Sequence, residues 1–418
     1  MDFLRKDIEL LAPVGSYETL YAAIQGKADA IYFGIGRLNM RSKSTLNFSV
    51  KDLEKVAKIS KENNIKAYAT LNSIIYDEDI FEAKTIIDAC KDSSIEGIIA
   101  SDISVLSYAN QKQIPIHIST QLNVSNIEAV KCLSKYADVI VLARELNLSQ
   151  TKSICDEIIK RQIIGPSGKL IKIELFAHGA LCMAISGKCY LSLHEYNHSA
   201  NRGECYQICR RSYFVSDKDT GSILEIDNEY IMSPKDLCTI SFLDKIIESG
   251  VRVLKIEGRA RSAEYVKIVT QCYNEAIHAI LTENYNEKNI SAWMNRLSLV
   301  YNRGFWDGYY LGKKTGEWNN VHGSKSEKKK IYIGKNLNYF SNIKVAEFIV
   351  ESGSIDIGDE ILIIGPSTGV VETVVKEIRV NLVPVPTAIK GERFSIYIEN
   401  TVRRSDKLYK LIDVNLDN

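Results

Sequence analysis

The sequence predicts an α/β fold: a (β/α)8 barrel with a cysteine-rich insertion, followed by a small all-β barrel domain. Over about the first 280 residues, short β-type runs alternate with amphipathic helical patterns, which indicates parallel strands joined by helical crossovers. The alternation breaks once, in a segment rich in Cys, Gly, Ser and Tyr. Beyond residue 330 the chain consists of short strand-like runs separated by Gly, Asp or Ser, which is typical of a small antiparallel barrel.

Eight apolar runs are the candidate strands of a closed, TIM-like barrel. They are Ile8–Pro13, Ala30–Ile35, Lys66–Asn72, Gly97–Ser101, Ile116–Thr120, Val139–Ala143, Lys172–Ala177 and Val253–Glu257. Ser49 and Asn147 are predicted to cap the helices that follow them. An open doubly wound sheet is the alternative. The barrel is favoured because the APVGS segment after the first run lacks the G-x-G-x-x-G spacing of a dinucleotide turn.

The same patterns predict the domain boundaries. Residues 1–283 form the barrel, with the cysteine-bearing insertion at about 178–238. Residues 284–323 form a helical and aromatic extension, residues 324–330 (SKSEKKK) a basic linker, and residues 331–418 the C-terminal β-barrel domain.

Composition narrows the functional classes. The chain has 45% hydrophobic residues and a net charge of +1, so it is not a polycation, and any nucleic-acid contact has to come from a local patch. No apolar run approaches the roughly 18 residues of a membrane span, and charges interrupt the N-terminal segment as they would not in a secretory signal. We therefore expect a cytoplasmic protein without membrane contact, whose nine cysteines are not structural disulfides.

Five of the nine cysteines fall within or beside the insertion. They are Cys182, Cys189, Cys205, Cys209 and Cys238. Thiolates are the ligands that zinc and iron–sulfur clusters prefer. Only the Cys205/Cys209 pair has the spacing of a zinc knuckle, whereas cluster ligands tolerate wider spacing. Spacing alone leaves a cluster, a zinc ion and no metal all open.

One segment of the insertion carries a specific signature. It reads Glu174-x-Phe176-x-x-Gly179-Ala180-Leu181-Cys182-x4-Gly187-x-Cys189-x-Leu191-Ser192, and it resembles without mismatch the signature of the peptidase U32 family, formerly described as collagenase-like proteases. Other stretches similar to that family are ELLAPVGS, YFG, HISTQLN, ARE, SPKDLC and KIEGR. The resemblance covers nearly the whole chain.

The resemblance implies an oxygen-insertion enzyme with a [4Fe–4S] cluster. Most similar is the branch that hydroxylates the wobble uridine of tRNA using prephenate; a second branch hydroxylates a cytidine of 23S rRNA. Carried over by position, the cluster ligands are Cys182, Cys189, Cys205 and Cys238, with Cys209 in reserve. A partner subunit of the same family is a further expectation.

Several polar residues near the ends of the predicted strands are candidate catalytic or binding groups. They are Arg41, Asn72, Gln121, Arg144, His178, Lys255 and Arg259. Arginine suits the carboxylates of prephenate because guanidinium binds them in a bidentate way. Lys255 has a second interpretation, as a residue of the barrel core neutralised by Glu257. For RNA phosphates the candidates are Arg202, Arg210, Arg211 and the run Lys328–Lys330.

Two other classes of function stay open. A U32-type peptidase needs a nucleophile and a base, and neither a G-x-S-x-G nor an H-E-x-x-H motif occurs in the sequence. An assembly subunit without its own activity is the remaining alternative.

Overall fold

Eight parallel strands close into a barrel, which confirms the predicted fold class. The computed structural model describes residues 4–43, 46–185, 188–221, 223–224, 232–313, 316–320 and 323–414. The barrel strands are β1 Glu9–Val14, β2 Ala30–Gly34, β3 Lys66–Leu71, β4 Gly97–Ala100, β5 Ile116–Ile118, β6 Val139–Val141, β7 Lys172–Ala180 and β11 Val253–Ile256. The ring closes because β11 is hydrogen-bonded to both β7 and β1.

Amphipathic helices surround the strands. In α2, Leu53, Val56 and Ile59 are buried against the barrel, at the spacing that places side chains on one helix face. Asn147 caps α6 as predicted, because its side chain accepts from Gln150 N at 2.9 Å. The helices are α1 Tyr17–Gln25, α2 Leu53–Glu62, α3 Ile80–Asp92, α4 Ile103–Gln111, α5 Ile127–Leu133, α6 Leu148–Lys160, α7 Leu191–Tyr196, α8 Leu243–Glu248, α9 Ala263–Leu281 and α10 Glu287–Ser298.

The insertion returns to the barrel through a short strand that the sequence did not predict. Its described part contains α7, the hairpin of β8 (Val215–Ser216) and β9 (Ile223–Leu224), and β10 (Asp236–Cys238). Strand β10 pairs antiparallel with the end of β7 and parallel with β12 (Phe305–Trp306) of the extension. The insertion is therefore anchored on the barrel at both of its ends.

The C-terminal domain is made of antiparallel sheets around a core of its own, in which Phe348 and Phe394 stack. Its larger sheet has the order β17-β16-β22-β13-β14-β21-β18-β19, and β15 pairs with β20. The strands are β13 Lys328–Phe340, β14 Val345–Val350, β15 Ser354–Asp356, β16 Glu360–Gly365, β17 Gly369–Val374, β18 Ile378–Val380, β19 Val383–Val385, β20 Thr387–Ile389, β21 Arg393–Tyr397 and β22 Lys407–Asp413. Residues 415–418 of the predicted domain lie outside the described residues.

The predicted basic linker is partly wrong, because the lysine run forms the start of β13. Lys328 pairs with Glu360, and Lys330 Nζ lies 2.7 Å from Glu264 of α9. Lysine alkyl stems extend along a strand edge while their ammonium groups reach carboxylates. The domain boundary therefore lies three residues earlier than expected.

The C-terminal domain packs on the outside of the barrel against α1 and α9. Gln25 at the end of α1 donates to Thr368 O at 3.0 Å and accepts from Val370 N at 2.9 Å. Lys267 of α9 lies 3.0 Å from Glu372 Oε1. Across the described part of the chain, we find no helix that combines the length and the apolar character needed to cross a membrane.

Candidate functional site

A cavity opens at the C-terminal end of the barrel, where the loops after the strands meet. This barrel cavity offers about 200 Å³ to water. Six of the seven polar side chains predicted from the sequence line it, because closing a parallel barrel brings the carboxyl ends of all its strands together. They are Arg41, Asn72, Gln121, Arg144, Lys255 and Arg259.

An ion pair crosses the cavity wall from the loop after β2 to the end of β11. Arg41 Nη2 lies 2.9 Å from Glu257 Oε1. Burial by itself raises the pKa of Glu257, but the charges of Arg41, Arg261 and Arg144 outweigh it and hold that pKa below its usual value. Glu257 is therefore ionised at neutral pH, and it neutralises one of the cavity's arginines.

A second ion pair forms the floor of the cavity, inside the barrel. Lys255 Nζ donates to Glu174 Oε1 at 2.7 Å, and His117 Nδ1 lies 2.8 Å from Glu174 Oε2. Burial opposes ionisation of Glu174, yet the Lys255 charge and the His117 hydrogen bond bring its pKa down to about 2. Lys255 thus reaches both the barrel interior and the cavity. The predicted partner Glu257 is wrong, since the partner of Lys255 is Glu174.

Arg259 is buried in the wall and is held by neutral groups. Its Nη1 donates to Asn39 Oδ1 at 3.0 Å and to Thr70 Oγ1 at 2.8 Å. Burial lowers the pKa of the guanidinium to about 10, so the group stays charged at neutral pH. Gly34 makes room for it, because a Cβ at that position would lie 2.6 Å from Arg259 Nη1. The glycine of the YFG segment therefore has a direct role in shaping the site.

The three remaining predicted residues of the cavity differ in their bonding. Asn72 connects two loops, since its Oδ1 accepts from Met40 N at 3.2 Å and its Nδ2 donates to Ser119 Oγ at 3.2 Å. In contrast, Gln121 Oε1 and Arg144 Nε are buried and have no hydrogen-bond partner within the described ranges. Asn72 therefore positions the loops, whereas Gln121 and Arg144 line the cavity and each carry a buried polar atom without a partner.

His178, the seventh predicted residue, does not reach the cavity. Its side chain is buried among the rings of Tyr265, Tyr273 and Phe305, and its Nδ1 lies 3.4 Å from Tyr273 Oη. Burial, assisted by the charge of Arg261, lowers the pKa of His178 to about 3. The neutral imidazole packs behind the cavity wall and supports the strand ends. Because His178 does not line the cavity, it makes no contact there through which the expected catalytic role could operate.

The cysteines separate into two groups that differ from the predicted set. Cys182, Cys189, Cys205 and Cys209 line the barrel cavity, whereas the Cys238 thiol is buried with its Sγ 3.8 Å from Met294 Sδ. The pairing of β10 with the end of β7 places Cys238 opposite His178, behind the wall. Cys209, the reserve, therefore occupies the place that the sequence assigned to Cys238.

The four cavity thiols interact electrostatically. Burial, together with charge on Cys182, Cys205 and Cys189, raises the pKa of Cys209 to about 11, although the charge of Arg210 opposes it. Within the described ranges, no three His, Cys, Asp or Glu side chains converge closely enough to hold a metal ion. Four soft sulfur donors on one cavity fit an iron–sulfur cluster in number and chemistry, and binding would require the segments that carry them to draw together.

Sequence reasoning missed a group of cations on the far side of the cavity. Arg261 and Arg303 line it and lie 4.0 and 3.4 Å from the buried carboxylate of Asp236. The Arg261 guanidinium carbon also lies 3.6 Å from the ring centroid of Tyr301. Arg261 could have been found from the sequence, because it follows Arg259 by two residues in GRAR. Arg303 could not, because it reaches the cavity only through the pairing of β10 with β12.

The residues predicted to contact RNA phosphates lie in different surroundings. Arg210 lines the barrel cavity and donates to Pro234 O at 2.7 Å. Arg202 is paired with Asp79 at 2.8 Å. Arg211 is exposed beside the cysteine segment, with its guanidinium carbon 5.4 Å from the Tyr196 ring centroid. Arg211 is thus the best placed of the three for a phosphate at the rim, whereas Lys328 and Lys330 of β13 are paired with Glu360 and Glu264.

Comparison with known proteins agrees with the resemblance seen in the sequence. The family model of Peptidase family U32 matches residues 15–320. A protein named collagenase from Porphyromonas gingivalis is 55% identical over 404 residues, covering 97% of this chain and 98% of that protein. The tRNA hydroxylation protein P1 of Bacillus subtilis is 30% identical, covering 89% of this chain and 87% of that protein. The 23S rRNA 5-hydroxycytidine C2501 synthase of Escherichia coli is 34% identical over 66% of this chain, but only 40% of that protein is covered. The chain therefore belongs to peptidase family U32.

Proposed function

We propose that this chain is an RNA hydroxylase that acts on the wobble uridine of tRNA with prephenate as co-substrate. The observation that carries the proposal is the meeting of four cysteine thiols and a set of arginines in one cavity at the C-terminal end of the barrel. Relatives named for tRNA and rRNA hydroxylation support the class of reaction. The tRNA substrate is preferred because the tRNA-acting relative matches over most of its own length.

We assign a [4Fe–4S] cluster to Cys182, Cys189, Cys205 and Cys209. When bound, such a cluster supplies redox or Lewis-acid chemistry beside the substrate. The protein's own part is to place cations around the reacting groups. Arg41 and Arg210 lie near these thiolates, where their charges offset the negative charge of a thiolate-bound cluster.

The cavity suits an unstacked base together with a small acid. An anticodon base can leave its stack and enter a protein pocket, where it stacks on side chains. Phe176 and Tyr32 supply aromatic faces to the cavity, and Arg211 supplies an exposed cation near its rim. We expect a partner subunit of the U32 family to complete the RNA-binding surface. We also expect the protein to work in the cytoplasm, where tRNA is modified.

A peptidase is the second candidate, because relatives at 52% and 55% identity are named collagenase. Hydrolysis by a serine, threonine or cysteine needs that group hydrogen-bonded to a base. Throughout the described ranges, no histidine ring is hydrogen-bonded to the side chain of such a residue. The rings of His117 and His198 instead contact Glu174 and Glu204, and the ring of His178 lies in aromatic packing. The geometry therefore favours the hydroxylase.

The decisive experiment is mass spectrometry of nucleosides from a deletion strain complemented with variants. Loss of 5-hydroxyuridine and its derivatives from tRNA, restored by the wild type but not by Cys209→Ser, supports the proposal. Cys132→Ser is the matched control, because that cysteine is exposed on α5 and is not among the residues that line the cavity. Unchanged tRNA would refute the proposal, and loss of 5-hydroxycytidine from 23S rRNA would move the substrate to rRNA. Gelatin cleavage abolished by a cavity substitution would favour the peptidase.

A further inference from the structure

We propose that the barrel cavity contains a subsite for a small hydroxylated carboxylic acid, formed by Thr120, Gln121 and Arg144. We refer to these three residues as the hydroxy-acid subsite. The inference rests on the proposed function only for the identity of the acid, prephenate. It adds which residues hold that acid and which chemical groups of it they recognise.

The subsite is marked by three unpaired polar atoms. Thr120 Oγ1, Gln121 Oε1 and Arg144 Nε are buried, lack a hydrogen-bond partner among the residues the structure describes, and belong to side chains that line the barrel cavity. Native proteins leave few buried polar atoms unpaired, because each costs about as much as a lost hydrogen bond. Three of them on one wall indicate a ligand whose own polar groups complete them.

The backbone holds these residues in fixed positions before any ligand arrives. Thr120 and Gln121 lie on a 3-10 turn directly after β5, and Arg144 follows β6, the neighbouring strand. A bridge between Val124 and Leu142 joins the two loops beyond the strand ends. A site carried on short loops between paired strands is preorganised, so little free energy is spent on ordering it.

Arg144 has no carboxylate partner, and unlike Arg259 and Arg210 its side chain makes no hydrogen bond to the protein within the described residues. Arg41 is paired with Glu257 and Lys255 with Glu174, whereas no ion pair involves Arg144 within the described ranges. Its guanidinium carbon lies 4.5 Å from the ring centroid of Phe176, within the range of a cation–π contact. A guanidinium that no protein carboxylate occupies can bind a ligand carboxylate in a bidentate way.

The neighbouring atoms distinguish a hydroxy acid from an RNA phosphate. Thr120 can donate its hydroxyl to the same carboxylate, but Gln121 Oε1 is an acceptor and needs a donor from the ligand. A hydroxyl group provides that donor, and a phosphodiester does not. Lys255 Nζ lies 5.6 Å from the same Phe176 ring centroid, so a second carboxylate or a carbonyl of the ligand has a cation within reach.

The test is binding of two acids to the anaerobically purified holoprotein, measured by calorimetry without RNA. Prephenate carries two carboxylates and a hydroxyl, and phenylpyruvate carries one carboxylate and no hydroxyl. We expect Arg144→Gln to weaken prephenate binding by tenfold or more and Thr120→Val to weaken it several-fold. We expect Gln121→Met to reduce the preference for prephenate over phenylpyruvate, because a site built for a hydroxyl rejects the analogue that lacks it, and the second carboxylate of prephenate accounts for the preference that is left.

The control is Arg404→Gln, which removes an equal charge from an exposed position of the C-terminal domain and should leave both affinities unchanged. Circular dichroism and thermal melts check that each variant is folded. A folded Arg144→Gln protein that binds prephenate as tightly as the wild type would overturn the subsite. The two proposals fail separately: Arg144-dependent binding with unchanged tRNA in the deletion strain refutes only the hydroxylase, and tRNA hydroxylation without Arg144-dependent binding refutes only the subsite.

Discussion

Replacing Lys255 with methionine tests whether the ion pair at the cavity floor holds the barrel together. Methionine keeps the length of the side chain but leaves the Glu174 carboxylate buried with His117 as its remaining polar partner. The pKa of Glu174 falls from its usual 4.5 to about 2 in the folded protein. At 1.36 kcal/mol per pKa unit, that difference corresponds to about 3 kcal/mol, close to the roughly 3–5 kcal/mol lost when one partner of a buried pair is removed.

The assay is urea unfolding followed by near- and far-ultraviolet circular dichroism, because coincident transitions show that the barrel unfolds cooperatively. We expect Lys255→Met to cost about 3 kcal/mol at pH 7, and the double variant with Glu174→Gln to recover part of that loss. Since the pKa of Glu174 is depressed on folding, its contribution is present above pH 4.5 and is lost as the pH falls toward 2. Lys152→Met, which breaks the exposed pair with Asp156, is the control and should cost under about 1 kcal/mol. If Lys255→Met were no more destabilising than this control, the reasoning on the buried pair would be wrong.

Three further predictions follow from the site and from the domain contact. Cys209→Ser should lose protein-bound iron after anaerobic reconstitution, whereas Cys238→Ser, behind the wall, should keep it; the opposite iron contents would restore the assignment made from the sequence. The imidazole resonances of His178 should not change between pH 5 and 8, because its pKa is lowered to about 3. The free energy of unfolding should fall as the pH drops below 6.5, because the unfolded chain then takes up the proton. A titration midpoint near 6.5 for His178 in the folded protein would contradict its burial. Gln25→Leu leaves two backbone groups of the C-terminal domain without their partners and should cost about 2 kcal/mol in urea unfolding, against no measurable change for the exposed Gln111→Leu.

The barrel could be predicted from sequence because its signals are local. Each strand is a short apolar run, and each helix repeats apolar residues at intervals of three or four positions. The residues at the strand ends then follow from topology alone, which is why Arg41, Gln121 and Arg144 meet in one cavity as expected. What no local pattern specifies is the direction of a side chain once a strand ends or bulges.

Lys255 and Cys238 show that limit. Alternation along β11 predicts residues 255 and 257 on one side, and both line the cavity. Their partners could not be predicted, because Glu257 pairs with Arg41 of the loop after β2 and Lys255 with Glu174 of β7. Cys238 lies on a three-residue strand whose partners come from β7 and from the extension, far away in the sequence. Pairings of that kind appear only when the chain has folded, and they reverse the ranking of Cys209 and Cys238.

The docking of the C-terminal domain on α1 and α9 has a consequence for how the chain folds. These two helices flank the seam where the last barrel strand meets the first, a contact that joins residues about 240 positions apart in the chain. Contacts between residues so far apart in the chain are slow to form, because a long loop must close before they can pair. The C-terminal domain contacts both helices through Gln25, Lys267 and Lys330. It therefore stabilises the pairing of β1 with β11, and removing it from the C-terminus of the chain would weaken the barrel at that pair of strands.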